Sequence, residues 1–254
     1  MFTTTVSNQI ATLTLSSPPV NSLSDAWVAG LSQQVERLEA RSDWKVLHIR
    51  SDQKVFCAGG DLKEMGARFE AADCADRAYA YVASIQRVFA RIEALPQVTL
   101  AEIGGAALGG GLELALSCDL RVAAIETKIG FTEVKLGLIP GAGGTQRLTR
   151  LVGRGLSSRL ILGAEVIDGA TAEKLGIVQW AVPRAEIQQR AADIAKRIAA
   201  LPEAALRAAK LCVNSAADPG RGGYMDELET SRALQTNPET RALIGAFIAG
   251  VRTP

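Results

Sequence analysis

The sequence predicts an α/β fold, and three observations predict it. Strand-like apolar runs alternate with helix-period segments along the chain. Two glycine clusters, at 104–111 and in IPGAGGTQRL at 139–148, each stand between a strand-like run and a helix start. The region from Pro183 onward is almost wholly helical by period. A length of 254 residues suits one large domain, or one domain with an appendage, and is ample to bury a core.

Residues 2–6 and 10–15 read as two short strands around Asn8-Gln9. The segment SSPPVNS at 16–22 is irregular, because paired prolines remove donors and fix φ. Ser24 then caps a helix to about Ala40, with Trp27, Leu31, Val35 and Leu38 on one face. KVLHIR at 45–50 alternates like a strand, a glycine-containing turn follows at 51–60, and a short helix starts near Asp61. A long amphipathic helix spans 75–94 and stops before Pro96. Residues 98–103 are strand-like, a helix opens within the glycines at 109–111 and runs to about Ser117, and 118–124 is another strand. In the helical tail, Pro202 and Pro238 each fit a first-turn position. The tail has apolar faces of its own and is a candidate for subunit packing.

Composition excludes several functions. The 28 basic and 27 acidic side chains leave a formal charge of +1, so no field of one sign favours nucleic acid. No apolar stretch approaches the ~18 residues of a membrane span, and MFTTTVSNQI is not a secretory signal. The expected location is the cytoplasm. Cys57, Cys74, Cys118 and Cys212 form no CxxC pair and read as free thiols in a reducing compartment. The one histidine, His48, lies in a predicted strand and reads as structural, which removes HExxH and leaves no Ser-His-Asp triad. Neither a phosphate-binding GxxxxGK[ST] loop nor a dinucleotide fingerprint after the first strand occurs. No metal or redox cofactor is expected.

Three segments remain chemically odd: FCAGGD at 56–61, GAALGGGLELALSCD at 105–119 and FTEVKLGLIPGAGGTQRL at 131–148. Glycine lets backbone N–H groups approach a ligand, and a helix N-terminus adds a positive dipole end. Gly60 and Gly110 each precede a helix start, and two such N–H groups aimed at one point would make an oxyanion hole. Singly, each glycine also reads as a tight turn or a close helix–sheet contact. Glu113 sits between Leu112 and Leu114 in an otherwise apolar helix turn, so it must face water, a partner or an active site. Its alternative is a first-turn acid stabilised by the helix dipole. Glu133 follows 20 residues later, with the alternative reading of a first-turn acid after the cap Thr132.

These motifs, together with PPVNSL at 18–23 and FCAGGDLKEM at 56–65, resemble the enoyl-CoA hydratase/isomerase (crotonase) superfamily over essentially the whole chain. The resemblance implies a spiral of ββα repeats over residues 1–195 and a helical C-terminal trimerisation region over 196–254. It implies a homotrimer, or a hexamer made of two trimers. It implies an acyl-CoA thioester as substrate, with Gly60 and Gly110 as the oxyanion donors. Ala58, Gly60, Asp61, Leu62 and Lys63 would hold the adenine and pantetheine parts, and Gly110 and Gly141 are further substrate-binding positions. Keeping acids at both 113 and 133 resembles the hydratases. Reversible hydration of a trans-2-enoyl-CoA is therefore expected, with Glu113 as base and Glu133 as acid. A Δ3-Δ2 isomerase, a hydratase for cyclic or dienoyl-CoA, and an RNA-binding member without chemistry are the alternatives. PPVNSL also resembles the hydratase portion of bifunctional enzymes; no dehydrogenase sequence follows it, so a standalone activity is expected.

Two features depart from the pattern. Gly60 replaces a more usual alanine, which leaves its N–H in place. Glu102 occupies a strand position expected to be apolar or small, and it either pairs with a base or lines the site. Residues 66–94 are expected to shape the acyl pocket, with Phe69, Tyr79, Tyr81 and Val82 as candidate lining residues.

Overall fold

A computed structural model describes residues 1–216, 220 and 222–250. The chain begins with a hairpin of β1 (Phe2–Ser7) and β2 (Ile10–Leu15), antiparallel in the register Phe2↔Leu15. Helix α1 (Asp25–Glu39) follows, and its cap is the predicted one: Ser24 Oγ accepts the Trp27 N–H at 3.1 Å. Next come β3 (Val46–Ser51), α2 (Leu62–Phe69), α3 (Cys74–Ala94) and β4 (Val98–Ile103). The chain then winds in strand–strand–helix turns. Strand β4, strand β5 (Ala107–Leu108) and helix α4 (Gly110–Leu116) make one turn. Strands β6 (Leu120–Ala124) and β7 (Lys128–Gly130) with α5 (Gly144–Leu162) make the next. Then follow β8 (Val166–Asp168), α6 (Gly169–Lys174), β9 (Trp180–Val182), α7 (Ile187–Ala199), α8 (Glu203–Ser215), α9 (Gly223–Gln235) and α10 (Pro238–Ile248).

The first strands of successive turns build a six-stranded sheet in the order β1-β2-β3-β4-β6-β9, parallel from β2 onward. The second strands build a small sheet, β5-β7-β8. Strand β4 is buried at every residue, as a parallel strand covered on both faces must be. Alternation then sorts its neighbours: Leu47 and Ala101 face the core of α1 and α3, while Val46 and Leu100 face α7. Helix α7 covers that second face with Ile187, Ala191, Ile194 and Ile198, and it spans the 195/196 boundary drawn from sequence.

Among the described residues, α8, α9 and α10 bury only Ser215. Lys210 ties α8 to the body, with Nζ 2.7 Å from Asp119 and 2.8 Å from the Gln97 carbonyl. Pro238 is the first residue of α10, as expected, but Pro202 is the cap of α8 rather than part of its first turn. The short elements β5, β7, β8, α6 and β9 are not predicted from the sequence; runs of two to six residues are too brief to show a period. Among the described residues, no helix is long and apolar enough to cross a membrane.

Candidate active site

The three odd segments meet at one point. Leu108 N–H donates to the Cys57 carbonyl at 3.1 Å, and the Phe56 and Cys57 N–H groups both donate to Ala106. These bonds lay FCAGGD alongside the strand that leads into α4. Gly111 packs so closely that a Cβ there would lie 2.1 Å from the Cys57 carbonyl oxygen, so no larger residue fits. Gly59, at φ +93°, lies directly against Leu108 and Gly110. Gly60 and Gly110 are thereby brought side by side. Leu112 and Glu113 donate to the Gly109 carbonyl, which leaves the Gly110 N–H in the unsatisfied first turn of α4.

Glu113, the fourth residue of α4, is buried. Its Oε1 accepts the Gly144 N–H at 2.8 Å, so the second glycine cluster opens into α5 against this carboxylate. Burial pushes the Glu113 carboxyl up to about 7; the Gly144 N–H opposes the rise and the nearby Glu133 charge adds to it. Glu133 opens a single 3-10 turn, Glu133–Leu136, and Thr132 supplies no side-chain cap. It is thus a first-turn acid after Thr132, as the alternative reading has it, but without a side-chain cap bond, and it also faces the cavity. Burial raises its carboxyl as well. Its Oε2 is buried and has no hydrogen-bond partner among the described residues, and its Oε1 lies against Gly109, where a Cβ would come within 2.9 Å of it. A buried carboxylate beside a half-buried one with an unpartnered oxygen is costly to the fold unless something else uses them.

Both line a cavity of about 160 Å³ together with Gly60, Gly110 and Gly141. Phe69, Tyr81 and Val82 line it as predicted. Tyr79 does not: it is 78% exposed and stands off the cavity, on the solvent side of α3. The sequence reading missed Met65, Arg68, Ala78, Ile85 and Leu138, among others. Ala78, Tyr81, Val82 and Ile85 share one face of α3 at helical spacing, which is the signal that would have found them. Ala58, Asp61, Leu62 and Lys63 lie outside the lining. Ala58, Leu62 and Lys63 are exposed, and Asp61 caps α2 by accepting the Lys63 and Glu64 N–H groups.

Other sites are chemically quieter. Glu102 does not line the cavity; it is buried in β4 with Oε2 2.9 Å from His48 Nε2 and Oε1 3.8 Å from Arg50. The free thiols of Cys57 and Cys118 are pushed up to about 12 by burial, so neither is a ready nucleophile. A larger groove, about 460 Å³, runs between Ala94–Pro96 and helices α8 and α9, and among the described residues no acidic side chain lines it.

The family model for enoyl-CoA hydratase/isomerase matches residues 5–238. The chain belongs to this family, within the crotonase superfamily. An enoyl-CoA hydratase structure from Bacillus anthracis superposes with a TM-score of 0.91 at 31% identity, over 98% of this chain and 96% of that one. Mitochondrial methylglutaconyl-CoA hydratase of Homo sapiens is 40% identical over 199 residues, which cover 76% of this chain and 57% of the human protein. An enoyl-CoA isomerase/hydratase of Mycosarcoma maydis is 40% identical over 205 residues, 80% of this chain and 73% of that protein. The two-sheet winding and helical tail of this chain are thus the crotonase fold, and the family acts on acyl-CoA thioesters.

Proposed function

We propose that the protein adds water reversibly to a trans-2-enoyl-CoA, giving a 3-hydroxyacyl-CoA. The observation that carries this reading is the buried Glu113 carboxylate with the half-buried Glu133 carboxylate, both facing one small cavity beside the Gly60 and Gly110 N–H groups. The thioester carbonyl accepts hydrogen bonds from those two N–H groups, which polarises the conjugated double bond and stabilises the enolate. One such donor lowers a barrier by ~3–4 kcal/mol. Glu113, with a carboxyl near 7, accepts a proton as water oxygen bonds to Cβ. Glu133, raised by burial and free at Oε2, delivers a proton to Cα as the enolate collapses. Proton exchange between the two acids and water restores the starting state. The scheme uses no metal or redox cofactor, and coenzyme A arrives as part of the substrate. Ala58, Asp61, Leu62 and Lys63, on the surface beside the cavity, are proposed to hold its nucleotide and pantetheine portions.

Glu113→Gln and Glu133→Gln should each lower crotonyl-CoA hydration by about 10²–10⁴-fold; near-normal turnover in either variant sinks the assignment. Conversion of a 3-enoyl-CoA to the 2-enoyl isomer, without hydration of the latter, would instead make the enzyme an isomerase. Tyr224, Met225, Leu228, Phe247 and Ile248 expose large apolar surfaces on α9 and α10, which supports assembly into a trimer or hexamer. Light scattering at the mass of one chain would overturn that assembly.

A further inference from the structure

Helix α2 forms part of the cavity wall through Met65, Arg68 and Phe69, yet it buries no residue of its own. Its attachment is largely polar. Ser22 Oγ donates to Asp61 at 2.9 Å, and the Asp25 N–H donates to Glu64 at 2.8 Å. Arg68 is the centre of this attachment. Its Nη2 lies 2.7 Å from Asp25 at the start of α1 and 3.2 Å from Glu64. Its guanidinium lies 4.0 Å from the ring centroid of Tyr81 on α3, and the Tyr81 hydroxyl donates to the Leu23 carbonyl. One side chain thus joins α1, α2 and α3 around the cavity. An arginine stacked on an aromatic face and forked onto carboxylates is well suited to such a clamp.

We propose that Arg68 is the specificity-determining residue of this cavity: by clamping α2 onto α1 and Tyr81, it restricts the acyl group to short, neutral chains. The inference rests on the acyl-CoA reading above. The cavity, about 160 Å³, is close to the ~150 Å³ that encloses a benzene molecule, so it holds roughly six carbon atoms. The guanidinium charge is already met by Asp25 and Glu64, so the wall offers no free cation to an acidic acyl tail.

The test is calorimetric titration of the full-length protein with saturated butyryl-, hexanoyl-, octanoyl-, dodecanoyl- and glutaryl-CoA, alongside hydration rates for the corresponding 2-enoyl-CoAs. Each methylene that gains a buried place should raise affinity roughly fourfold. In the wild type that rise is expected to stop near hexanoyl-CoA, and glutaryl-CoA should bind more weakly than hexanoyl-CoA. In Arg68→Ala the rise should continue, so that the dodecanoyl-to-hexanoyl affinity ratio exceeds the wild-type ratio by tenfold or more. Asp25→Ala cuts the same clamp from outside the cavity and should shift the ratio in the same direction. A wild-type rise that continues through dodecanoyl-CoA, or ratios unchanged in both variants, overturns the proposal. So does tight glutaryl-CoA binding that Arg68→Ala abolishes, which would make Arg68 a reader of carboxylates. A length limit without hydration of any enoyl-CoA leaves the clamp standing and removes the hydratase reading; hydration without a length limit does the reverse. Binding of no acyl-CoA removes both.

Discussion

Two regions of this molecule bury a glutamate, and they handle it in opposite ways. Glu102, inside the main sheet, has both oxygens near bases: His48 at 2.9 Å and Arg50 at 3.8 Å. Glu113, on α4, is held by backbone N–H groups, Gly144 foremost, and shares its cavity with a second carboxylate, Glu133. Removing a carboxylate from water is unfavourable in both places. In the sheet the cost is offset by partners, and the group serves the fold. In the cavity it is left standing as a raised proton affinity, which a proton-transfer step can use.

Exchange of acid for amide should break this symmetry most sharply. Glu113→Gln is expected to reduce kcat by about 10³-fold, and a steady-state assay with crotonyl-CoA reads it; an equal loss in Glu102→Gln would erase the distinction. A smaller effect is expected from Gly109→Ala. Its φ of +52° and the 2.9 Å approach of a Cβ to Glu133 Oε1 should displace that carboxylate. A misplacement on the scale of an ångström lowers kcat by about 10²-fold; unchanged kcat would show that the position of Glu133 is not critical.

Stability sharpens the contrast from the other side. Glu102→Ala leaves His48 and Arg50 without their partner and should cost about 3 kcal/mol in urea unfolding, with kcat per folded molecule preserved. Glu113→Gln should do the opposite. The folded Glu113 carboxyl, at about 7, lies above its ordinary 4.5, so the fold favours the protonated form. The contribution of Glu113 to wild-type stability is therefore fully present below pH 4.5 and declines as pH rises to about 7. The variant should lack that decline and gain up to about 3 kcal/mol over wild type at pH 8; parallel stability curves for the two proteins would refute the raised value. The mildest effect is on rate. A base that must be ionised and titrates near 7 should lose kcat/KM about tenfold between pH 7.5 and pH 6, and a flat acid limb would remove Glu113 from that role.

Much of the fold was legible where a period had room to repeat. Ser24 as cap, the Trp27-Leu31-Val35-Leu38 face and the strand at β4 all stand as read. The site was legible through residues that are locally unfavourable: three consecutive glycines at a helix start and a glutamate among leucines. Tyr79 and Tyr81 show the limit. Both lie in the same apolar helix pattern, but the orientation of α3 turns one to solvent and the other onto the cavity. Glu102 shows another limit, since its partner His48 is 54 residues away and only strand pairing brings them together.

By itself, the sequence determined the α/β class, the two helix starts built on glycine, and the two acids, Glu113 and Glu133, that stand out from their surroundings. Those are local facts, set by backbone freedom, hydrophobic period and the cost of an acid in an apolar turn. Only the tertiary structure decided that Gly144 would hold Glu113, that Glu133 would keep a bare oxygen, and that Arg68 would reach Asp25 and Tyr81. Each of those depends on distances between elements remote in the chain, and close packing of the two sheets and their helices fixes such distances.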